Sequence, residues 1–559
     1  MNAMWRQTYS VFGMGIAGSA LVAAIPVIVL LFLLGVMRRP AWMAALCAWA
    51  VTAGLACFAY RMPMPLTISA GLYGAAFGLF PISWIVFWAI ALYRVTSEAG
   101  KFHIIQASIG SLTSDYRLQA LLIGFAFGAF LEGAAGFGTP VAIAAGMLAG
   151  LGFSPFRASA LCLLANTSPV AFGSIGIPVI TLAGITGIHP DLLGASVGRI
   201  VAPLSFIIPG YLIVILAGWS EAIEVWPAIL VTGASYSIIQ LLVSNLLGPQ
   251  LTDILSSLGS IAAILMLLRF WKPPVLRTIQ QGAAQQETSI ATNGDALPAT
   301  AGENARASYS ASELLGAWMP YALLVVFVLF WGVKPIQALL NLPSRSFGWP
   351  LLHNLVLRAP PVVAKPAPYG AMYQVNWLSA AGTACMCATI VAALLLRLSP
   401  GRFARLLLSV CRQLLLPTVT VASILSMAFM MNYCGATATL GLAFAASGIL
   451  FPFFSPLLGW LGVFLTGSDT SSNALFGNLQ VVTATHLGFN PVLMAAANSS
   501  GGVMGKMISL QSIVVAAAAT GMSAGDQVKL FRFTLRHSIL LAVAIGLEVL
   551  LYAYVFSGQ

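Results

Sequence analysis

The chain has 559 residues, 59% hydrophobic and only 7% charged, with a formal net charge of +11. Soluble domains carry about 25% charged and 45–50% apolar residues, so this composition cannot supply the polar surface a soluble fold needs. It excludes a soluble enzyme, and it excludes a nucleic-acid partner because the surplus Lys and Arg fall in short loops between apolar runs, where they orient helices.

Apolar runs of about 20 residues, each long enough to cross a bilayer, recur from end to end. The expected fold is an all-α polytopic membrane protein in the lipid bilayer, with about 12–14 transmembrane helices, some broken or re-entrant. Spans are predicted near 12–36, 41–60, 66–93, 118–150, 156–187, 195–217, 226–248 and 251–270. The second half adds 314–332, 376–397, 413–432, 434–452, 456–476, 491–522 and 535–556. Arg38-Arg39 follow the first run, which suits a retained helix that starts outside rather than a signal peptide. Arg94 and Lys101, Lys272 and Arg277, Arg397 to Arg412, and Lys529 to Arg536 mark cytoplasmic loops; loop 333–375 and both termini then face outward. The cysteines are scattered through apolar runs without disulfide or metal spacing, and no metal or other cofactor is expected.

Residues 279–311 are polar and poor in large apolar side chains, too little to build a core. They define a flexible cytoplasmic linker, 271–312, between an N-terminal half (1–270) and a C-terminal half (313–559). The halves share an order of blocks. "GAFLEGAAGFGTP" (128–140), "LGFSP" (151–155) and "ANTS" (165–168) in the first answer to "GVFLTGSDTSSNA" (462–474), "LGFNP" (487–491) and "ANSS" (497–500) in the second. This reads as a duplication with repeats at 118–190 and 458–522, and the loop charges make the two repeats inverted.

Glu132 is the only ionisable residue between Leu118 and Phe156. On a straight helix it would lie about 22 Å from Arg117, deep in a hydrocarbon core about 30 Å thick. In the second half, Asp469 and Lys506 are the only formal charges between Arg412 and Asp526. Intramembrane charges are costly and normally mark a functional site, although an Asp469–Lys506 ion pair joining two helices is the purely structural alternative. Glycines and Pro140 after Glu132, and hydroxyls around Asp469, weaken the helices there, which is tolerated only beside protein or a wet cavity. Broken helices also offer amide groups to an anion. The expectation is a polar cavity built once in each half. "SGGVMGKM" (500–507) lacks phosphate-loop spacing, and no nucleophile–base constellation appears, so an enzyme is not expected.

The blocks "GAFLEGAAGFGTPVAI", "ANTSPVAFGSIGIP", "GWLGVFLTGSDTSSNALFGNLQ" and "AANSSGGVMGKMIS" closely resemble the bacterial L-lactate permease family, across essentially the whole chain. The resemblance implies a proton symporter of the inner membrane importing L-lactate, D-lactate or glycolate, with no cofactor beyond the coupling proton. Its partners would be a small monocarboxylate, protons and lipid; the oligomeric state, a homodimer included, stays open. Glu132 and Asp469 are the candidates for the proton. Gly136, Gly138, Thr139, Asn166, Thr167, Ser168, Ser471, Ser472, Asn473, Asn498, Ser499 and Lys506 are the candidates for the substrate. Sodium coupling at the "SDTSSN" block is the alternative. Where the family reads "GKMISPQSI", this chain has Leu510 in place of the proline, and a change in the local kink is expected.

Overall fold

The computed structural model describes residues 4–136, 139–277 and 309–555. Most of the linker and Gly138 therefore lie outside the described residues, as does the Thr139 side chain. Among the described residues, 12 helices are long and apolar enough to cross a membrane, or 13 if a pair bent by 64° is one span.

The first five helices are α1 (Ile16–Gly35), α2 (Ala41–Phe58), α3 (Met64–Phe77), α4 (Trp84–Glu98) and α5 (Lys101–Gly110). Span α6 (Tyr116–Ala134) contains a π-helical stretch, Ala120–Phe127. Then come α7 (Thr139–Gly150), α8 (Pro155–Ala165), α9 (Gly173–Thr186), α10 (Pro190–Ala217), α11 (Trp219–Glu224), α12 (Trp226–Leu246) and α13 (Thr252–Phe270). The second half supplies α14 (Ala311–Gly332), α15 (Lys334–Leu340), α16 (Ala381–Leu395), α17 (Pro400–Cys434), α18 (Ala436–Phe444), α19 (Phe451–Thr466), α20 (Asp469–Leu487), α21 (Pro491–Lys506), α22 (Leu510–Thr520) and α23 (Ala524–Val555).

Three boundaries differ from the sequence reading, each for a local reason. The run 456–476 is not one helix: Gly467, at φ +74°, ends α19, and Ser468 caps the start of α20. A left-handed residue suits glycine, and a serine oxygen satisfies the first free amides of the next helix. The path 434–452 is continuous with its successor, Ala436–Thr466, and is broken only at Gly448. Finally, α17 starts at Pro400 rather than near 413; its 35 residues extend about 52 Å, so the turns bearing Arg402, Arg405 and Arg412 project beyond the bilayer core. Loop 333–375 has regular structure of its own. It holds short strands β2 (Arg345–Gly348), β3 (Val356–Arg358), β4 (Ala367–Tyr369) and β5 (Met372–Val375), and β1 (Trp5–Arg6) runs parallel to β3.

Packing does not follow the two sequence halves. Helices α1–α5 pack with α14 and α16–α18 as one group; α6–α10, α12 and α13 pack with α19–α23 as another. In the first group, α3 presses on α17 through small residues. A Cβ on Gly74 would stand 2.5 Å from the Leu425 carbonyl oxygen, and one on Gly78 2.9 Å from Ala422 Cα. The stripe is a backbone-to-backbone contact of the kind that holds helices together where lipid offers no hydrophobic driving force. At the basic end, buried Arg117 pairs with Asp115 (2.9 Å) and Glu224 (2.6 Å), while Arg277 pairs with Glu221 and Glu224 (both 2.9 Å). Arg277 and then Arg117 hold the Glu224 carboxyl below its ordinary range.

Candidate functional site

Within the second group, the two repeat-like segments have the same element order. One runs helix, break after Ala134, α7, turn, α8, break, α9; the other runs α19, break at Gly467, α20, turn, α21, break, α22. Their packing is reciprocal: α7 lies on α22, and α9 lies on α20. The "ANTS" and "ANSS" blocks are not equivalent in detail, because the first ends α8 while the second sits inside α21.

The breaks converge on a cavity of about 510 Å³ between the two helix groups. One wall, from α2, α4 and α17, is largely apolar: Trp42, Ile90, Tyr93, Leu414, Pro417 and Val421. The facing wall is polar, with Glu132, Ser174, Thr466 to Ser471, Lys506 and Gln511. Exposed Arg94 and Gln413, joined by a 2.7 Å hydrogen bond, line its open end, which lies toward the basic loops.

Glu132 is 4% exposed, and its Oε2 has no hydrogen-bond partner among the described residues. Its other oxygen lies over Gly173, where a Cβ would approach to 2.8 Å. Asp469 is held differently. Its Oδ2 accepts from Ser499 Oγ (2.5 Å) and Asn473 Nδ2 (3.2 Å), and its Oδ1 rests against Gly502, where a Cβ would come within 2.2 Å. Lys506 Nζ donates to the Gly467 carbonyl (2.7 Å) at the end of α19; both carboxylates act on it electrostatically, but neither is in direct ion-pair contact with it among the described residues. The Asp469–Lys506 pair that would have given these charges a purely structural role is therefore absent among the described residues.

The other predicted residues separate into two layers. Ser471 lines the cavity with Glu132, Asp469 and Lys506. Its amide, expected to face the substrate, is taken by Ser468 Oγ (3.3 Å), and that of Ser472 by the Ser468 carbonyl (3.0 Å). Asn473, Asn498 and Ser499 form a buried network behind Asp469. Asn498 Nδ2 donates to Asn473 Oδ1 (2.9 Å), Asn473 donates to the Pro178 carbonyl (3.1 Å), and Gln480 donates to Asn498 Oδ1 (3.2 Å). Ser472 donates to the Gly459 carbonyl and Thr167 to that of Leu164. None of these five residues lines the cavity, nor do Asn166 and Ser168, which are buried with Asn166 Nδ2 and Ser168 Oγ unpartnered among the described residues.

Sequence reasoning missed Ser174. Residues Ser174, Ile175 and Gly176 have φ of 47°, 61° and 75°, a left-handed turn at the start of α9. Two non-glycine residues held there signal strain of the sort found at ligand sites. Ser174 Oγ donates to the Ala135 carbonyl (3.1 Å), and a Cβ on Gly136 would fall 1.9 Å from that oxygen. Gly136, at φ +57°, must therefore be glycine for both reasons. The signal was present in "FGSIGIP", where Gly173, Gly176 and Pro178 surround the turn.

The sequence profile described as L-lactate permease matches residues 19–556. The chain belongs to the L-lactate permease family. A glycolate permease of Escherichia coli (strain K12) is 44% identical, covering 99% of both chains. L-lactate permeases of Bacillus subtilis (strain 168) and Escherichia coli (strain K12) are 42% and 41% identical, again over 99% of both chains. Membership makes this a multi-pass transporter of the bacterial inner membrane rather than an enzyme.

Proposed function

We propose that the protein imports L-lactate, D-lactate or glycolate by symport with protons, binding the acid in the cavity between its two helix groups. The observation that carries this reading is the convergence of both breaks, two carboxylates and one lysine on that single cavity. A monocarboxylic acid with a pKa of about 3–4 arrives as an anion at neutral pH. Lys506 and the start of α20 offer it positive charge and helix-terminal dipole at membrane depth. Ser471 and Ser174 stand where a 2-hydroxyl can be met, while Asn473, Asn498 and Ser499 brace that wall from behind. The coupling proton is assigned to Glu132, whose Oε2 has no hydrogen-bond partner among the described residues, rather than to Asp469, which also leaves Oδ1 unpartnered there but whose Oδ2 accepts two hydrogen bonds.

The wall with the carboxylates and the lysine belongs to one helix group and the largely apolar wall to the other. This supports alternation by movement of one group past the other, with the inverted repeats supplying the two end positions. The open end near Arg94 is then the cytoplasmic one.

The test is uptake of labelled L-lactate into proteoliposomes under an inward proton gradient in sodium-free buffer. Concentrative uptake that collapses with a protonophore is expected. Uptake that requires sodium, or equal competition by propionate and lactate, would contradict the reading of the coupling ion or of the hydroxyl site respectively, since a site built for a hydroxyl leaves polar groups unpaired around propionate.

A further inference from the structure

A second buried carboxylate stands directly behind Glu132, outside the cavity. Asp253 lies in the first turn of α13 and is 1% exposed. It packs on Gly133, the residue after Glu132, so closely that a Cβ on Gly133 would stand 2.7 Å from Asp253 Cβ. Its Oδ1 accepts a hydrogen bond from the fully buried Tyr236 hydroxyl of α12 (3.3 Å), and its Oδ2 has no partner among the described residues. The titratable groups acting on it are Glu132 from α6 and Tyr236 from α12; α9, which also packs against α13, carries none. No cation faces it.

A first-turn aspartate is favoured by the helix dipole, which accounts for its tolerance. The dipole does not account for an oxygen left without a partner among the described residues on so buried a side chain, because buried polar groups are normally satisfied and buried charges paired. Lys506 of α21 acts on Glu132 from the cavity side and not on Asp253, and the two neighbouring carboxyls titrate as a pair whose apparent steps belong to both.

We propose that Asp253 is a second proton-carrying carboxyl of the transport cycle, and that the Glu132–Asp253 pair, not Glu132 alone, sets how uptake responds to pH. The proposal rests on the proton-symport reading above. The step is a proton exchange alone: a proton joins the pair on one side of the membrane and leaves it on the other.

The experiment compares wild type, Asp253→Asn and Tyr236→Phe in proteoliposomes. Lactate counterflow without a gradient reads binding and alternation; gradient-driven accumulation across a pH series reads coupling. Asn at 253 keeps an acceptor for Tyr236. Asp253→Asn is expected to retain most of its counterflow while its accumulation falls about tenfold or its pH midpoint moves by about one unit. Tyr236→Phe, which leaves both carboxyls in place, is expected to move the midpoint by less. A wild-type pH profile and accumulation in Asp253→Asn would overturn the proposal. So would loss of counterflow in Asp253→Asn combined with an unmoved profile in Tyr236→Phe, which would mark a packing role. If wild type shows counterflow but ignores the proton gradient, the symport reading fails first and this inference falls with it.

Discussion

The two breaks reach one cavity by different chemistry. Each carboxylate leaves one oxygen without a partner among the described residues, but the Glu132 break is made of glycines, whereas the Asp469 break is made of hydroxyls and amides that hold the other oxygen with two hydrogen bonds. Each carboxylate is nevertheless seated on a glycine, Gly173 or Gly502, because nothing larger fits beside it. The difference teaches that corresponding positions in two repeat-like segments can divide labour: a loosely held acid suits a group that changes protonation, and a tightly held one suits a group that fixes a wall.

The sharpest way to break this contrast is to neutralise each acid. Glu132→Gln is expected to abolish gradient-driven accumulation while lactate counterflow persists. Asp469→Ala is expected to lose both and to unfold more readily in detergent by about 1–3 kcal/mol, because Ser499 and Asn473 are left unsatisfied. Loss of counterflow in Glu132→Gln with retained proton-driven uptake in Asp469→Ala would reverse the assignment. Lys506→Gln, read as the half-saturation concentration for lactate, should rise by roughly tenfold or more, since hydrogen bonds to charged groups are worth about 1.5–3 kcal/mol. Next come the seats themselves. Gly502→Ala and Gly173→Ala overpack the two acids and are expected to destabilise by about 1–3 kcal/mol in thermal unfolding. Gly502→Ala should be the worse, its Cβ meeting Asp469 at 2.2 Å against 2.8 Å for Glu132. The smallest effect concerns Leu510. It occupies the first position of α22, a site that accepts proline, and Ser509 before it has φ −63° and ψ 135°, the conformation that a following proline prefers. Leu510→Pro is therefore expected to stabilise by about 0.4–1 kcal/mol without altering transport. The kink after Lys506 persists without the proline because Ser509 caps the new helix through Ser512.

Much of the site was legible in the sequence because charge in lipid is conspicuous. Glu132, Asp469 and Lys506 stood out against long apolar stretches, and glycine and hydroxyl runs marked where the helices break. Asp253 was not legible: it sits at a predicted span end, where an aspartate is ordinary, and only the packing of α13 on Gly133 brings it inside. The "ANTS" and "ANSS" blocks were legible as polar but not as to direction, because one periodicity serves a residue facing a cavity and one facing a helix behind it. The grouping of helices also escaped the sequence, since it joins α1–α5 to segments more than two hundred residues away.

The glycine stripe that presses α3 onto α17 has a mechanical consequence. Backbones in contact at Gly74 and Gly78 leave no slack for sliding, so those two helices behave as a single clamped beam. In the proposed alternation, displacement then falls along the face where the apolar side chains of α17 meet the polar wall.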